Sequence, residues 1–304
     1  MAPEGVYAAV LTPFSDRLEP DVVAFIGHCR WLFENGCDGL APLGTTGEAN
    51  SMSVDQRMTL LEALSESDLP RKSMIPGTGS CALADAVRVS KFATEKGFAG
   101  VLTLPPFYYK DPTQDGLFAF FSELIERVGD PRLRLFLYHI PNMSTVPIEP
   151  SLISRLVKAY PGTIAGLKDS SGDWANTATL IREFPNLAIY SGSERFLSDN
   201  LDHGGAGCIS ATTNVTCGLA AAVFAARNTP NAKLLQKELT EVRLTFERFP
   251  VVAALKVLKA RTSGDDAWLN ILPPLEPVCS DESQDLLTRL TAFNRSAPVP
   301  IELA

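Results

Sequence analysis

The sequence predicts an α/β fold, a closed (β/α)8 TIM barrel with a C-terminal helical extension, and three observations predict it. Eight short apolar or β-branched runs recur along the chain, and each ends in a polar or glycine-containing turn. Most of these runs are separated by segments whose apolar residues have helical spacing. Beyond the eighth run only helical patterns continue. Parallel strands need such helical crossovers, and eight strand–helix units in about 225 residues match a closed barrel.

The elements follow one another in the order that a barrel requires. The predicted strands are 6–12, 39–44, 73–77, 100–104, 133–140, 163–168, 188–192 and 207–211. The clearest helical patterns between them cover 22–33, 58–64 and 117–128.

The last quarter of the chain is predicted to be helical and to pack on the barrel. Its helical patterns are 219–227, 232–248, 251–262 and 283–292, interrupted by the proline-rich segment 272–277. The first of these completes the barrel, and the segment 251–258 is too apolar to stand free in water. The predicted division is therefore a barrel over 1–228 and a helical extension over 229–304.

Composition and charge narrow the classes of function. The 304 residues are 45% hydrophobic and 20% charged, which is typical of a globular protein in water. The net charge of −8 and the lack of basic residues interleaved with aromatics exclude a nucleic-acid or anionic-membrane partner. Six scattered cysteines without metal spacing indicate reduced thiols. With no signal peptide and no long apolar span, we expect a cytoplasmic protein with a small-molecule partner.

Lys168 stands at the end of the sixth predicted strand, directly before the turn-forming residues 169–173. In a barrel, reactive groups come from the carboxyl ends of the strands. A lysine at such a position has two readings: a solvated side chain that ends a strand, or an amine that forms a Schiff base with a carbonyl substrate.

Other strand ends carry further candidates. Thr45 and Glu48 have the spacing of a capping box, and a capped helix start beside two hydroxyls would also receive the carboxylate of a keto acid. Tyr138 ends the fifth strand, and we expect it within reach of Lys168, either as a core residue or as a proton-transfer hydroxyl. Tyr109 lies in a proline-flanked aromatic loop, which fits loop packing, a subunit contact or a catalytic hydroxyl.

Two further signals are weak. The segment 77–82 matches G-x-G-x-x-A after a strand, but it lies in the third unit and lacks a following strand-end acid, so dinucleotide binding is not favoured. The histidines His28, His139 and His203 do not form a ligand cluster. The sequence therefore predicts neither a metal nor an organic cofactor.

Four motifs occur in a fixed order along the chain. They are Gly44-Thr45-Thr46-Gly47-Glu48, Tyr138-x-Ile140-Pro141, Gly166-Leu167-Lys168-Asp169-Ser170-Ser171-Gly172 and Gly207-Cys208-Ile209-Ser210. In these motifs the chain resembles the dihydrodipicolinate synthase/N-acetylneuraminate lyase family over nearly its whole length. The resemblance implies a pyruvate-dependent class I aldolase or lyase, built as a homotetramer that is a dimer of dimers.

The resemblance also implies roles for individual residues. Lys168 would be the Schiff-base lysine and Tyr138 the proton-relay hydroxyl. Thr45 and Thr46 would bind the keto-acid carboxylate and take part in the relay. The tyrosine that synthases of the family insert from a neighbouring subunit would be Tyr109. The pyruvate pocket would be lined by Gly192 and Ile209.

Departures from the family pattern bear on the substrate. Met143 stands where the synthases carry an arginine that grips the carboxylate of the second substrate, and His139 replaces the usual asparagine. A thioether cannot replace a guanidinium. Glu194 and its polar neighbours 193 and 195 fall where lyases of the family hold sugar-acid hydroxyls, so a 2-keto-3-deoxy sugar acid is the expected substrate.

Other functions stay open from the sequence. The chain could be a true dihydrodipicolinate synthase whose arginine function is supplied elsewhere, for example by Arg195. The same iminium could expel a hydroxyl, which would make the protein a sugar-acid dehydratase. A binding barrel without turnover and an NAD-dependent enzyme are alternatives from other classes.

Overall fold

Seven parallel strands form one curled sheet in the computed structural model, which describes residues 4–295, 297 and 299–302. Along the sheet the order is β2-β1-β7-β6-β5-β4-β3, and every pair is parallel. The strands are β1 (Gly5–Ala8), β2 (Gly39–Leu40), β3 (Val101–Thr103), β4 (Leu135–His139), β5 (Ile164–Asp169), β6 (Ala188–Ser191) and β7 (Gly207–Ser210).

The third predicted strand, 73–77, closes the ring between β2 and β3 without forming a regular strand. Single parallel bridges join Met74 to Leu40 and Gly77 to Leu102. Backbone hydrogen bonds on both sides support them, from the Leu102 N–H to the Pro76 carbonyl and from the Gly77 N–H to the Pro42 carbonyl, both 2.8 Å. Since Pro76 has no N–H, it cannot donate to a continuous ladder. The predicted (β/α)8 barrel is confirmed, with its third unit reduced to bridges.

The helices cover the outside of the sheet, and twelve α-helices lie within the described residues. They are α1 (Val22–Glu34), α2 (Val54–Glu66), α3 (Leu83–Glu95), α4 (Gln114–Val128), α5 (Pro141–Ser144), α6 (Pro150–Ala159), α7 (Trp174–Glu183), α8 (Leu197–Asp202), α9 (Thr213–Ala226), α10 (Ala232–Phe246), α11 (Val251–Ser263) and α12 (Ser280–Asn294). Local chemistry sets several of these bounds: Asp21 caps α1, Thr113 caps α4, and Gly129 ends α4 in the left-handed conformation.

Large side chains fill the interior of the barrel. The rings of Tyr7 and Tyr190 pack edge to face with centroids 5.3 Å apart, and Phe136 lies beside Tyr190. Gly166 makes room for this layer, because a Cβ at that position would collide with Phe136 and with the Ala188 carbonyl. The barrel is therefore a packed core below the strand ends, as expected for this architecture.

The C-terminal helices share one apolar cluster with the barrel. Val6 of β1 and Cys208 of β7 pack in the same cluster as Phe246 of α10, Leu255 of α11 and Leu286 of α12. The division at residues 228 and 229 stays a prediction, and the chain ends at residues 1–3 and 303–304 lie outside the described residues. Across the described ranges, no helix is long and apolar enough to cross a membrane.

Glu48 connects this helical extension to the Thr45–Thr46 turn. It does not form the predicted capping box with Thr45. Its side chain forms a fully buried ion pair with Lys256 of α11 and accepts from the Leu272 N–H at 2.7 Å. Burial raises the pKa of Glu48 and lowers that of Lys256, and the ion pair opposes both changes. The capping box lies further on, between Ser53 and Gln56 at the start of α2.

Loss of one partner of this pair is expected to destabilise the fold. Lys256→Met keeps much of the side-chain volume but leaves the Glu48 carboxylate buried without its cation, which costs about 3–5 kcal/mol. Denaturant unfolding of the variant and of the wild type measures this loss. Lys237→Met, which removes an exposed i,i+4 pair with Glu241, is the matched control and should change little. Adding Glu48→Gln to Lys256→Met should recover part of the loss, and a double variant no more stable than Lys256→Met would contradict the assignment.

Candidate active site

A cavity of about 680 Å³ opens at the carboxyl ends of the strands. Its inner wall comes from strand ends and the turns that follow them, and includes Thr45, Thr46, Tyr138, Lys168 and Gly192. Its outer wall comes from the C-terminal part of the chain. Parallel strands deliver their carboxyl ends to one face, which is where barrels carry their sites.

Lys168 and Tyr138 face each other at the inner end of the cavity. They are paired residues of β5 and β4, and both are buried. The Lys168 Nζ donates to the Tyr138 hydroxyl at 3.2 Å and lies 4.3 Å from the centre of its ring. The amine is therefore in direct contact with the phenol, as the strand-end positions predicted, and the proton-transfer role of Tyr138 stays a prediction.

The Tyr138 hydroxyl is held on its other side by Thr45, whose Oγ1 lies 3.4 Å away. Burial raises the pKa of Tyr138, but the Lys168 ammonium and hydrogen bonds from Thr45, Lys168 and Ser170 outweigh burial, so the pKa falls below its usual value. A phenol with a lowered pKa beside an amine is suited to acid–base work. The three groups form a chain, Lys168 to Tyr138 to Thr45.

The turn that carries Thr45 and Thr46 has free backbone donors. Within the described part of the chain, no residue accepts a hydrogen bond from the N–H of Thr45 or of Thr46. Leu43, just before the turn, has a φ of 60°, in the left-handed region that costs a branched residue energy. Unsatisfied N–H groups beside two hydroxyls can bind a carboxylate.

Asp169 organises the loop after β5. Its carboxylate accepts from the Ser171 N–H at 2.9 Å, from the Asn176 side chain at 3.0 Å and from the Thr177 hydroxyl at 2.6 Å. On its other side, His139 Nε2 lies 4.0 Å away. These contacts join the start of α7 to β5 and so hold the backbone next to Lys168.

His139 supports the site from behind in its neutral form. Its Nδ1 accepts from the Ile148 N–H at 3.0 Å, so the ring proton is on Nε2, which faces Asp169. Burial lowers the pKa of His139, although the charges of Asp169 and Glu149 oppose this. His139 is not one of the described residues that line the cavity.

Gly192 lines the cavity at the end of β6 because no larger residue fits there. A Cβ at this position would overlap the Ser170 side chain. The Gly192 N–H also donates to the Asp169 carbonyl at 2.6 Å. The turns that follow β5 and β6 therefore approach each other closely in the cavity wall.

Two predicted substrate-binding residues are not in the cavity wall. Ile209 belongs to the interior layer of the barrel with Tyr7, because its side chain points from β7 into the core. Glu194 is fully buried, and its carboxylate accepts from the hydroxyls of Ser210 and Thr212. Glu194 was expected to meet the substrate; its oxygens are engaged inside the wall by these hydroxyls, and its role in substrate binding stays a prediction.

Tyr109 also lies away from the cavity in the single chain. Its side chain is 79% exposed and packs edge to face against Tyr108, with ring centroids 5.3 Å apart. The prediction that it reaches a neighbouring subunit stays a prediction.

The outer wall contains residues that the sequence did not single out. Arg243 lies in the last turn of α10, and Glu247, four residues later, directly follows this helix. Val251 and Val252 begin α11. Charges at i and i+4 are common on any exposed helix face. No local signal in the sequence separates these two from such ordinary pairs.

The glycine-rich segment 77–82 is engaged by the protein itself. The buried Arg57 guanidinium donates to the carbonyls of Gly77 and Gly79 at 3.1 and 3.2 Å. A Cβ at Gly77 would overlap the Leu43 carbonyl. These glycines allow close backbone packing next to the Thr45–Thr46 turn. In the described ranges there is also no group of three or more His, Cys, Asp or Glu side chains that could hold a metal.

Comparisons with known proteins find relatives over nearly the whole chain. Residues 2–293 match the sequence model of the dihydrodipicolinate synthetase family. The chain is 36% identical over 282 residues to an uncharacterized DapA-like lyase from Chloroflexus aurantiacus, covering 92% of this chain and 93% of the relative. It is 33% identical over 283 residues to a 4-hydroxy-tetrahydrodipicolinate synthase from Agrobacterium fabrum, covering 90% of this chain and 94% of the relative.

Solved structures share the fold. The crystal structure of dihydrodipicolinate synthase from Agrobacterium tumefaciens has a TM-score of 0.88 at 31% identity, covering 95% of this chain and 99% of that one. The 2-keto-3-deoxygluconate aldolase of Sulfolobus solfataricus has a TM-score of 0.86 at 24% identity, covering 96% and 97%. The second likeness is one of fold.

The contact between Lys168 and Tyr138 makes a prediction about titration. Lys168→Met leaves Tyr138 buried but removes the neighbouring ammonium, so the pKa of Tyr138 should rise relative to the wild type. A pH titration of tyrosinate absorbance measures it, with Tyr138→Phe used to subtract the remaining tyrosines. Lys158→Met, an exposed lysine on α6, is the control and should leave the Tyr138 titration in place. An unchanged or lower pKa in Lys168→Met would refute the coupling.

Proposed function

The chain belongs to the dihydrodipicolinate synthetase family and is a class I lyase or aldolase, and we propose that it acts on a 2-keto-3-deoxy sugar acid or a related hydroxylated keto acid. In this reaction a carbon–carbon bond is made or cleaved between pyruvate and an aldehyde. The observation that carries the proposal is the hydrogen-bonded chain from Lys168 through Tyr138 to Thr45 at the inner end of the cavity.

In the proposed first step, the Lys168 amine adds to the ketone carbonyl of pyruvate. Tyr138 donates a proton to the carbinolamine oxygen, water leaves, and an iminium bound to Lys168 remains. Thr45 holds the Tyr138 hydroxyl and passes protons onward. The hydroxyl of Thr46 and the N–H groups of the turn bind the pyruvate carboxylate.

In the second step, the iminium acts as an electron sink. The pyruvate methyl group loses a proton to the Tyr138 phenolate left by the first step and gives an enamine. The enamine carbon attacks the aldehyde carbonyl, and Tyr138 returns its proton to the resulting alkoxide. Hydrolysis of the new iminium releases the product and restores the Lys168 amine. The reverse sequence cleaves the hydroxylated keto acid into pyruvate and aldehyde. Every proton transfer occurs beside Tyr138, so this scheme needs no metal or organic cofactor.

The nature of the second substrate follows from Met143 and its surroundings. The resemblance places Met143 where synthases of the family carry an arginine. Met143 offers no positive charge to a carboxylate. The side chain is 64% exposed at the cavity rim. Without that anchor an amino-acid semialdehyde loses a charged hydrogen bond of about 1.5–3 kcal/mol.

A second candidate is 4-hydroxy-tetrahydrodipicolinate synthase, the name of the relative from Agrobacterium fabrum. Arg195 lines the cavity and would have to supply the missing arginine function. A coupled assay with pyruvate and aspartate semialdehyde separates the two candidates. Loss of a hydroxyl instead of an aldehyde, which defines a dehydratase, is distinguished by the mass of the product.

The cellular setting and assembly belong to the same proposal. All six cysteines are free thiols, which supports a cytoplasmic protein. The adjacent exposed tyrosines Tyr108 and Tyr109 support a homo-oligomer, and the family resemblance implies a dimer of dimers.

Lys168 should form a covalent adduct with pyruvate. Incubation with pyruvate and reduction with borohydride should leave one adduct, located on Lys168 by peptide mass spectrometry, because reduction traps the iminium. Lys168→Ala should give no adduct and no turnover. Lys158→Ala is the matched control and should keep both. Turnover that survives Lys168→Ala would refute the Schiff-base mechanism.

The proposed assembly is checked by light scattering at the assay concentration. The particle mass should be two or four times the 32.8 kDa chain mass. Replacement of Tyr108 and Tyr109 by serine should shift it towards the single chain, because the apolar contact is lost. A wild-type protein with the mass of one chain would contradict the proposal.

A further inference from the structure

Glu247 stands between two arginines in the outer wall of the cavity. Its Oε1 accepts from Arg243 Nε at 2.8 Å, and its Oε2 accepts from Arg195 Nη1 at 3.3 Å. All three side chains line the cavity. The Glu247 side chain is 32% exposed, so a ligand can reach it although both of its oxygens have partners.

Arg243 is fixed in place from two sides. Besides Glu247, it donates to the hydroxyls of Ser210 and Thr212 at 3.3 Å, and it lies 3.7 Å from the buried Glu194 carboxylate. Its side chain is only 14% exposed. The buried Glu194 thus helps to fix Arg243 in place, and Arg243 in turn orients Glu247.

Arg195 is less constrained than Arg243 and keeps a donor available. Its side chain is 34% exposed and donates to Glu247 through Nη1 alone. Its Nε is buried, and no side chain or backbone group in the described ranges accepts from it. The exposed part of the Arg195 guanidinium lies in the cavity wall and can donate to a ligand oxygen there.

The charges of this wall balance, which decides the ligand chemistry. Two arginines, Arg195 and Arg243, face Glu194 and Glu247, and Glu276 also lines the cavity, so there is no net positive charge to attract an anion. A carboxylate placed beside Arg195 would also lie beside the Glu247 carboxylate, and like charges repel. A hydroxyl has no such conflict, because it donates to Glu247 and accepts from Arg195 or Arg243.

We propose that Glu247, held between Arg195 and Arg243, is a specificity-determining residue that selects uncharged, hydroxyl-bearing aldehydes as the partner of pyruvate. This inference rests on the proposed function and refines it, because it assigns recognition of the distal hydroxyls to α10 and the residue that follows it. Glu247 discriminates in two ways: it accepts from a substrate hydroxyl, and it repels a substrate carboxylate.

The test compares two aldehydes in condensation with pyruvate. Glyceraldehyde carries hydroxyls and succinic semialdehyde carries a carboxylate, and the measured quantity is the ratio of their kcat/KM values. The wild type should favour glyceraldehyde. In Glu247→Gln the ratio should fall about tenfold or more, since a charged hydrogen bond is weakened and a repulsion is removed. Glu241→Gln, an exposed glutamate on α10 that does not line the cavity, is the matched control and should keep the wild-type ratio.

Each result bears on one claim. A wild type that favours succinic semialdehyde overturns the inference, and so does a ratio in Glu247→Gln that equals the wild-type ratio. The first measurement needs no variant, so it holds even if Glu247→Gln fails to fold. Borohydride trapping of pyruvate on the same wild-type preparation distinguishes failure of this inference from failure of the proposed function. If an adduct forms but Glu247→Gln keeps the wild-type ratio of kcat/KM values, only this inference is overturned. Absence of the adduct overturns the proposed function and this inference with it.

Discussion

The parallel pairing of β4 with β5 is the constraint on which the site depends. Its register puts Tyr138 beside Lys168, so that their polar atoms meet at 3.2 Å without help from a flexible loop. Because all strands point the same way, the turns after β2 and β6 reach the same face and bring Thr45 and Gly192 to this pair. Rigid strand ends hold reactive groups more closely than loops do.

The polar groups around this pair are arranged in supporting layers. Asp169, next to Lys168 in the chain, is saturated by hydrogen bonds from α7 and its preceding loop, and the neutral His139 stands behind it. The burial that would raise the pKa of Tyr138 is outweighed by its polar neighbours. The same fold thus excludes water from the reactive groups and keeps them hydrogen-bonded.

The C-terminal helices do more than cover apolar surface. Through Lys256 they hold Glu48 and hence the turn of Thr45 and Thr46, and through Arg243 they complete the outer wall of the cavity. In the proposed function, the barrel supplies the chemistry at the inner end, while the helical extension faces the distal end of the substrate. A change of specificity can therefore arise in α10 without disturbing the strand ends.

Much of the fold and the inner site was determined by the sequence alone. Apolar runs and helical spacing are local signals, and strand-end reasoning therefore identified Lys168, Tyr138 and Thr45, with the resemblance adding Thr46 and Gly192. The reduction of the third strand to bridges at Pro76, the burial of Glu194 and Ile209, and the pairing of Glu48 with Lys256 were decided only in the tertiary structure. The same holds for Glu247 and Arg243. Each of these features depends on which side of an element faces which neighbour in space. Glu48 and Lys256, for example, are more than two hundred residues apart in the chain. Local residue patterns do not encode such long-range contacts.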